Sequence, residues 1–301
     1  MMIDSDRLHA FAVFAEDANL SRAAARLHLS QPAVHAQIRK LSEELGVPLY
    51  RRVGRGLSLT KEGAELAAYA RETEERASEF VARLKGEGAE RRVVLAAGAG
   101  ALLHVLGPAL RSFTRAFSGR LDVVTADGPT AVGLVARGEA HVGVAALDAT
   151  PLPSLQDESL ELRSITDVKQ LLVVPTSHPL AKKRHALLAD LEGERLVLPP
   201  RGRPQRVALE AAFAARGVTI REGALATGWD LVVHLVSLGI GLAIVNGSVR
   251  LPAGLVGLTL RELPPIRYVA FARRRPRPDP AALLEAMTKQ VMTKQAPGKR
   301  G

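Results

Sequence analysis

Gln31, His35 and Arg39 fall at i, i+4 and i+8, which stacks them on one face of a helix. All three can hydrogen-bond, and Gln, His and Arg are side chains able to address base edges in a DNA major groove. On another face Val34, Ile38, Leu41 and Leu45 are spaced by 4, 3 and 4, an apolar stripe that requires a core beneath it. Ser30 is a good N-cap for this helix, and Pro32 sits in its first turn, where a missing N–H costs nothing. A shorter helix, roughly Ser21 to Leu27, precedes it and carries Ala23, Ala24 and Ala25, small enough for close packing. The pair reads as a helix-turn-helix, against the alternative of two core-packed amphipathic helices with a solvated polar face.

The elements around the pair favour the first reading. Leu8, Phe11, Ala12, Phe14 and Ala15 make a helix-spaced stripe upstream, a third helix that can bury the other two. Downstream, Leu49–Arg52 and Leu57–Leu59 are short β-like runs joined by Val53-Gly54-Arg55-Gly56. Such a hairpin is a wing, and Arg51, Arg52 and Arg55 on it suit phosphate or a minor groove.

Residues 7–66 resemble the DNA-binding head of the LysR-type transcriptional regulators. The likeness is carried by Leu8-x-x-Phe11, Ala23-Ala24-x-x-Leu27, Ser30-Gln31-Pro32-Ala33-Val34, Gln37-Ile38-x-x-Leu41, Leu45-Gly46-Val47-Pro48-Leu49 and Leu59-Thr60-x-x-Gly63. The chain departs from the family at His35, usually Ser, and at Tyr50, usually Phe; the second reads as a packing change of little consequence. With the resemblance, DNA contacts are expected from Ser21, Arg22, Ser30, Gln31, Pro32, Ala33, His35, Arg39, Arg52 and Arg55.

At 301 residues the chain is at the upper limit for one core, so two or three units are expected. The apolar share of 47% is ample for burial. No run approaches the ~18 apolar residues of a membrane span, and no charged-then-apolar leader precedes Asp4. There is no cysteine, which removes disulfides, thiolate metal sites and thiol redox sensing, and a cytoplasmic protein is expected. The net charge of +10 is unevenly spread. Residues 1–60 hold 8 basic and 6 acidic side chains, whereas 267–301 hold 9 and 2. DNA binding by the head must therefore rest on the placement of a few charges. The basic end reads as a final helix and a disordered tail, with added phosphate affinity as the alternative.

From Thr60, which can cap a helix, to about Gly86 the chain is free of proline, and Leu66, Ala70, Thr73, Ala77, Phe80 and Leu84 repeat at 4-3-4-3-4. That heptad-like seam needs a partner, either the helix's own domain or a second helix. In the family this is the linker helix, which pairs with its copy in a second subunit. The resemblance thus implies dimerisation through Leu66, Ala70, Ala77, Phe80 and Leu84. It also implies an inverted-repeat DNA site read by two heads. Gly86-Glu87-Gly88 is a plausible hinge.

Beyond Arg92, strand and helix patterns alternate. Strands are expected at Val93–Ala97, Leu121–Thr125 and Val142–Ala146, with helices at Leu102–Phe117 and Pro129–Arg137, a βαβαβ unit with parallel pairing. A second round has strands at Gln170–Pro175, Arg195–Leu198 and Gly241–Val245, and helical segments at Ala186–Leu191, Gln205–Arg216 and Trp229–Leu238. Strands at Leu258–Leu263 and Arg267–Ala272 and a helix at Pro280–Gln295 close the chain. Two such lobes resemble the effector-binding domain of the same family, which has the periplasmic-binding-protein architecture. The motifs are Gly138-Glu139-Ala140-x-Val142-Gly143-Val144, His178-Pro179-Leu180-Ala181 and Gly239-Ile240-Gly241-Leu242-Ala243. The family usually has an acidic residue at His141.

A ligand cleft between such lobes would collect strand C-termini and helix N-termini, where N–H groups favour anions. Four segments are expected there: Gly98 to Ala101, Gly128-Pro129-Thr130, Pro199 to Arg206 with three guanidiniums, and Thr227 to Asp230 with the only Trp. Effector contacts are assigned to Gly100, Ala101, Thr130, Arg201, Gly202, Gln205 and Trp229, and the effector to a small organic anion. The alternatives are that Trp229 is core and that Arg201 and Arg203 are loop surface. No dinucleotide fingerprint, GxxxxGK[ST], HExxH or GxSxG is present, and the eight His show no metal-ligand spacing. Neither an enzyme nor a cofactor is expected.

The fold class expected is therefore multidomain α and α/β. A winged helix-turn-helix spans 1–60, a linker and dimerisation helix 61–88, an effector-binding domain 89–295 and a disordered tail 296–301. Lobe I would take about 92–166 and 259–295, and lobe II about 167–258. The expected function is a sequence-specific transcriptional regulator under effector control. The alternatives are a cytoplasmic solute-binding protein or an enzyme on the same two-lobed fold. Expected partners are double-stranded DNA, the effector, a second copy or three more, and RNA polymerase, with no membrane.

Overall fold

The computed structural model describes residues 3–54, 56–85, 91–147, 155 and 159–294. Arg55, the hinge at 86–88 and the tail at 296–301 lie outside the described residues. The chain divides into two compact units, the first comprising 1–94 with 119–122 and 133–141, the second the remainder.

In the first unit α1 (Ser5–Asp17) is capped by Asp4, α2 (Leu20–Leu27) by Asn19 and α3 (Gln31–Leu45) by Ser30. Each capping oxygen accepts a backbone N–H of the first turn, an interaction whose loss costs about 0.5–2 kcal/mol. The stripe of α3 does what its spacing demands: Val34, Ile38 and Leu41 are fully buried with Phe11, Phe14 and Leu49, and Ala23 and Ala24 let α2 close onto them. Then β1 (Tyr50–Val53) and β2 (Gly56–Leu59) form an antiparallel hairpin, registered Tyr50 to Leu59 and Val53 to Gly56.

Thr60 turns the chain into α4 (Lys61–Leu84). Its hydroxyl donates to the Pro48 carbonyl at 2.6 Å and accepts the Gly63 N–H at 3.0 Å. Gly63 is required by that close approach, because a Cβ there would lie 1.8 Å from the Leu49 carbonyl oxygen. Farther along α4, Arg71 donates to the Arg137 carbonyl at 3.3 Å and lies 3.4 Å from the Glu139 carboxylate. His141 accepts the Val94 N–H on Nδ1 at 2.9 Å, so its neutral ring carries the proton on Nε2, which faces Glu75 at 3.3 Å.

After α4 come β3 (Arg92–Ala97), α5 (Ala99–His104), α6 (Gly107–Ala116), β4 (Arg120–Thr125), α7 (Gly128–Ala136), β5 (Val142–Leu147) and β6 (Leu160–Val168). Next are β7 (Gln170–Pro175), β8 (His185–Ala186), β9 (Arg195–Leu198), α8 (Pro204–Ala214), β10 (Arg221–Leu225) and α9 (Trp229–Ser237). The chain ends with β11 (Ala243–Asn246), β12 (Leu255–Leu260), β13 (Ile266–Arg273) and α10 (Pro278–Lys294). One sheet has the order β4-β3-β5-β13-β6, a second β11-β7-β12-β8, and β10 pairs with β9.

Several sequence expectations are revised. The helix expected over Leu102–Phe117 is two, because Pro108 cannot continue a helix and instead starts α6. Ala186–Leu191 is the end of β8 followed by a 3-10 turn, Leu188–Leu191, rather than an α-helix. The βαβαβ unit keeps its expected parallel pairing between β3 and β5, while β13 joins β5 and β6 antiparallel. Three strands were not anticipated: the two-residue β8, and β6 and β10, which carry several charged or exposed positions that hide them from a search for apolar runs.

The chain passes between the two larger sheets twice, at Lys169 and again over 261–265. Polar groups stitch these passages. Gln170 donates to the Pro264 carbonyl at 3.0 Å. Asn246, wholly buried on β11, donates to the Tyr268 hydroxyl on β13 at 2.6 Å and accepts from the Ser248 N–H and hydroxyl. A buried amide is tolerated only when satisfied in this way.

Candidate nucleic-acid interface and effector cleft

The Ser30 hydroxyl accepts the Ala33 N–H at 3.3 Å and fixes the start of α3. With the apolar stripe committed to the core, Gln31, His35 and Arg39 are all exposed on the remaining face. Eight residues at about 1.5 Å each spread them over about 12 Å, a length that fits within one groove. Ser21, Arg22, Ser30 and Pro32 are exposed beside them, Ala33 is half-buried, and the Ser21 hydroxyl donates to Gln31 Oε1 at 3.2 Å, tying α2 to the first residue of α3. Arg39 lies 3.3 Å from Glu43 and Arg22 lies 3.6 Å from Asp17. Both pairs are exposed, hence worth about 0–1 kcal/mol, so a phosphate or base can take these guanidiniums at little cost. Arg51 and Arg52 are exposed on β1.

Tyr in place of Phe at position 50 keeps the ring, and it is the ring that touches its neighbours. The Tyr50 ring meets Phe14 at 5.3 Å and His35 at 6.5 Å, edge-on in both cases. Strand β1 thus returns an aromatic ring to the polar face of α3, a contact that no local pattern announces.

Along α4 the expected seam divides. Leu66 packs against the head's core and Ala70 is buried within the protomer, whereas Ala77, Phe80 and Leu84 are exposed.

In the second unit α5, α7, α8 and α9 begin around one cleft of about 210 Å³. Its wall includes Gly100 and Ala101 of α5, Gln205 of α8 and Trp229 of α9, four of the seven residues expected there. The lining also takes in Asp127, Val144 to Ala146, Ile266 and Tyr268. Gly100 is where the backbone must come close, since a Cβ there would meet the Trp229 ring at 2.6 Å. The side chain of Gln205 has its Nε2 buried without a hydrogen-bond partner.

Thr130, Arg201 and Gly202 do not line the wall. The Thr130 N–H caps onto Asp127 at 3.1 Å, and Arg201 and Gly202 are exposed. Of the three guanidiniums expected at the start of α8, Arg206 is buried and spent inside the lobe, on Glu210 at 2.6 Å, Glu222 at 2.8 Å and the Pro199 carbonyl. Burial opposes its charge, but the two carboxylates outweigh that and hold it above its usual value. Arg203, at the N-cap of α8, faces Asp127 at 3.3 Å. The Asp127 carboxyl is held below its ordinary range, first by the Thr130 hydroxyl, then by the Thr130 N–H and Arg203. Nearby, His104 of α5 lies 3.2 Å from Asp230 in the first turn of α9.

Two family models match this chain: the bacterial regulatory helix-turn-helix protein of the lysR family over residues 5–64, and the LysR substrate binding domain over 86–290. The chain belongs to the LysR family of transcriptional regulators. It is 31% identical over 250 residues to the RuBisCO operon transcriptional regulator of Allochromatium vinosum, covering 82% of this chain and 80% of that one. Its fold is similar to full-length OxyR from Pseudomonas aeruginosa, with a TM-score of 0.65 and 20% identity over 97% and 95% of the two chains. It is also similar to full-length CbnR in a complex with its target DNA, with a TM-score of 0.54 and 23% identity over 96% and 99%.

This LysR-type regulator is a DNA-binding transcription factor with an effector-binding domain, not an enzyme. No helix among the described residues is long and apolar enough to cross a membrane. Sequence reasoning missed Asp127, although an Asp directly before Gly128-Pro129 is a helix-start signal. It also missed Val144 to Ala146, which the rule that ligands sit beyond strand C-termini would have found at the end of β5.

Proposed function

We propose that the LysR-type regulator binds an inverted-repeat promoter site as a homo-oligomer, and that a small organic anion in the cleft alters how its heads engage DNA. The observation that carries the DNA half is the exposed trio Gln31, His35 and Arg39 on α3, beside a stripe in which Val34, Ile38 and Leu41 are given to the core. The wing arginines and Ser21, Arg22, Ser30, Pro32 and Ala33 supply backbone contacts around that trio. The match of residues 5–64 to the lysR-family helix-turn-helix model supports the same use of this end of the chain.

Support for an anion comes from the helix starts around the cleft, the unpartnered Gln205 amide and Arg203 at the N-cap of α8. The exposed half of the α4 seam supports pairing with a second copy, as a dimer or a pair of dimers. A role at promoters fits a cytoplasmic protein that works beside RNA polymerase. An effector acts only through different affinities for the two arrangements of the heads.

Footprinting on the promoter region beside its own gene tests the reading. A protected inverted repeat whose pattern changes with an added carboxylate is the expected result. Absence of sequence-selective protection with every effector tried overturns it.

A further inference from the structure

We propose that Tyr50 is a positioning residue for His35, and through it sets the base preferred where His35 meets DNA. The proposal deepens the DNA-binding reading above and rests on it.

His35 is exposed on α3, one turn beyond Gln31, so its own helix leaves the imidazole free to rotate. A freely rotating reader pays its rotamer entropy on binding and discriminates poorly among bases. Tyr50 removes that freedom. Its ring packs against both Phe14, at 5.3 Å and 66°, and His35, at 6.5 Å and 68°, each within the range of edge-to-face aromatic pairs.

The ring cannot drift. Phe14 is fully buried, and the Tyr50 backbone is locked by its pairing with Leu59 in the hairpin. The path runs from the head's core through Tyr50 to a side chain on the reading face. It also couples the wing to α3, because the strand that carries Tyr50 continues into Arg51 and Arg52. The Tyr50 hydroxyl makes no hydrogen bond among the described residues, so the ring alone does the positioning.

Selection from a random duplex DNA library, followed by sequencing of the bound fraction, tests this with the full chain and with the H35A, Y50L, Y50F and H35A/Y50L variants. H35A is expected to flatten preference at one base position per half-site. Y50L should flatten the same position, by about 2- to 10-fold, the scale of a lost aromatic pair. Y50F should keep it, and the double variant should match H35A.

Y50L that leaves preference intact, weakens every position alike or adds to H35A overturns the proposal, as does a Y50F that behaves like Y50L. Should Y50L fail to fold, NMR of wild type and Y50F decides. Ring-current-shifted His35 imidazole protons in both support the contact, and unshifted ones overturn it. If wild type enriches no sequence, the regulator reading itself falls. An enriched site indifferent to H35A overturns only the role given to His35 and Tyr50.

Discussion

Asp127 and Arg203 face each other at 3.3 Å, the carboxylate closing the first turn of α7 and the guanidinium standing at the N-cap of α8. The cleft thus supplies its own anion to the cation that an anionic effector would use.

Asp127→Asn keeps an oxygen for the Thr130 N–H but releases Arg203. Carboxylate effectors are expected to bind about tenfold tighter, roughly 1.4 kcal/mol, by calorimetry. Unchanged or weaker binding would place the effector's charge elsewhere. Asp127→Ala also removes the cap and should cost about 1 kcal/mol of stability at neutral pH. Because the folded Asp127 carboxyl titrates below its ordinary value of 3.8, its contribution is complete above that value and is lost as pH falls through the lower folded one. The melting difference between wild type and Asp127→Ala should therefore close in acid.

Trp229 is the only Trp of the chain and lines the cleft, so intrinsic fluorescence reports on that site without labelling. Gly100→Ala drives a methyl into the indole and should cost about 1–3 kcal/mol, shifting the emission and weakening effector binding together. An emission spectrum identical to wild type would mean that the ring moves aside freely.

The two halves of the α4 seam should respond differently to charge. Phe80→Asp, on the exposed half, is expected to yield monomers in light scattering with the head still folded. Ala70→Asp, on the buried half, should instead destabilise the protomer by about 1–3 kcal/mol or more, seen as a lower melting temperature. A dimer that survives Phe80→Asp would move the interface off this helix.

Arg39→Ala should reduce specific binding by roughly 1–3 kcal/mol and relax preference at one base if the side chain reads guanine. A uniform loss across all sequences, with a shallower salt dependence, would make Arg39 a phosphate contact.

The head was legible because every local rule there agrees: Ser30 caps, Pro32 starts, and the Val34, Ile38 and Leu41 stripe is buried as spaced. The break at Gly107-Pro108 was readable too, from proline's missing N–H, but the apolar residues around it masked the signal. What stayed hidden depends on contacts distant in sequence. Tyr50 reaches His35 only because β1 folds back on α3. Arg206 counted among the guanidiniums expected at the cleft until Glu222 closed on it inside the lobe, though Glu210 one turn away was a warning. In the cleft, glycines and Trp229 marked the walls, while Ile266 and Tyr268 come from a strand more than a hundred residues away from Gly100 in the chain.

The bond from Asn246 to Tyr268 limits what the effector domain can do. It joins β11 to β13 beside the two passages between the larger sheets, and separating the sheets would break it and take from the buried Asn246 Nδ2 its acceptor. Turning about it keeps the bond. A turn of one sheet against the other therefore costs less than a separation, and a rotation is the motion this bond leaves open.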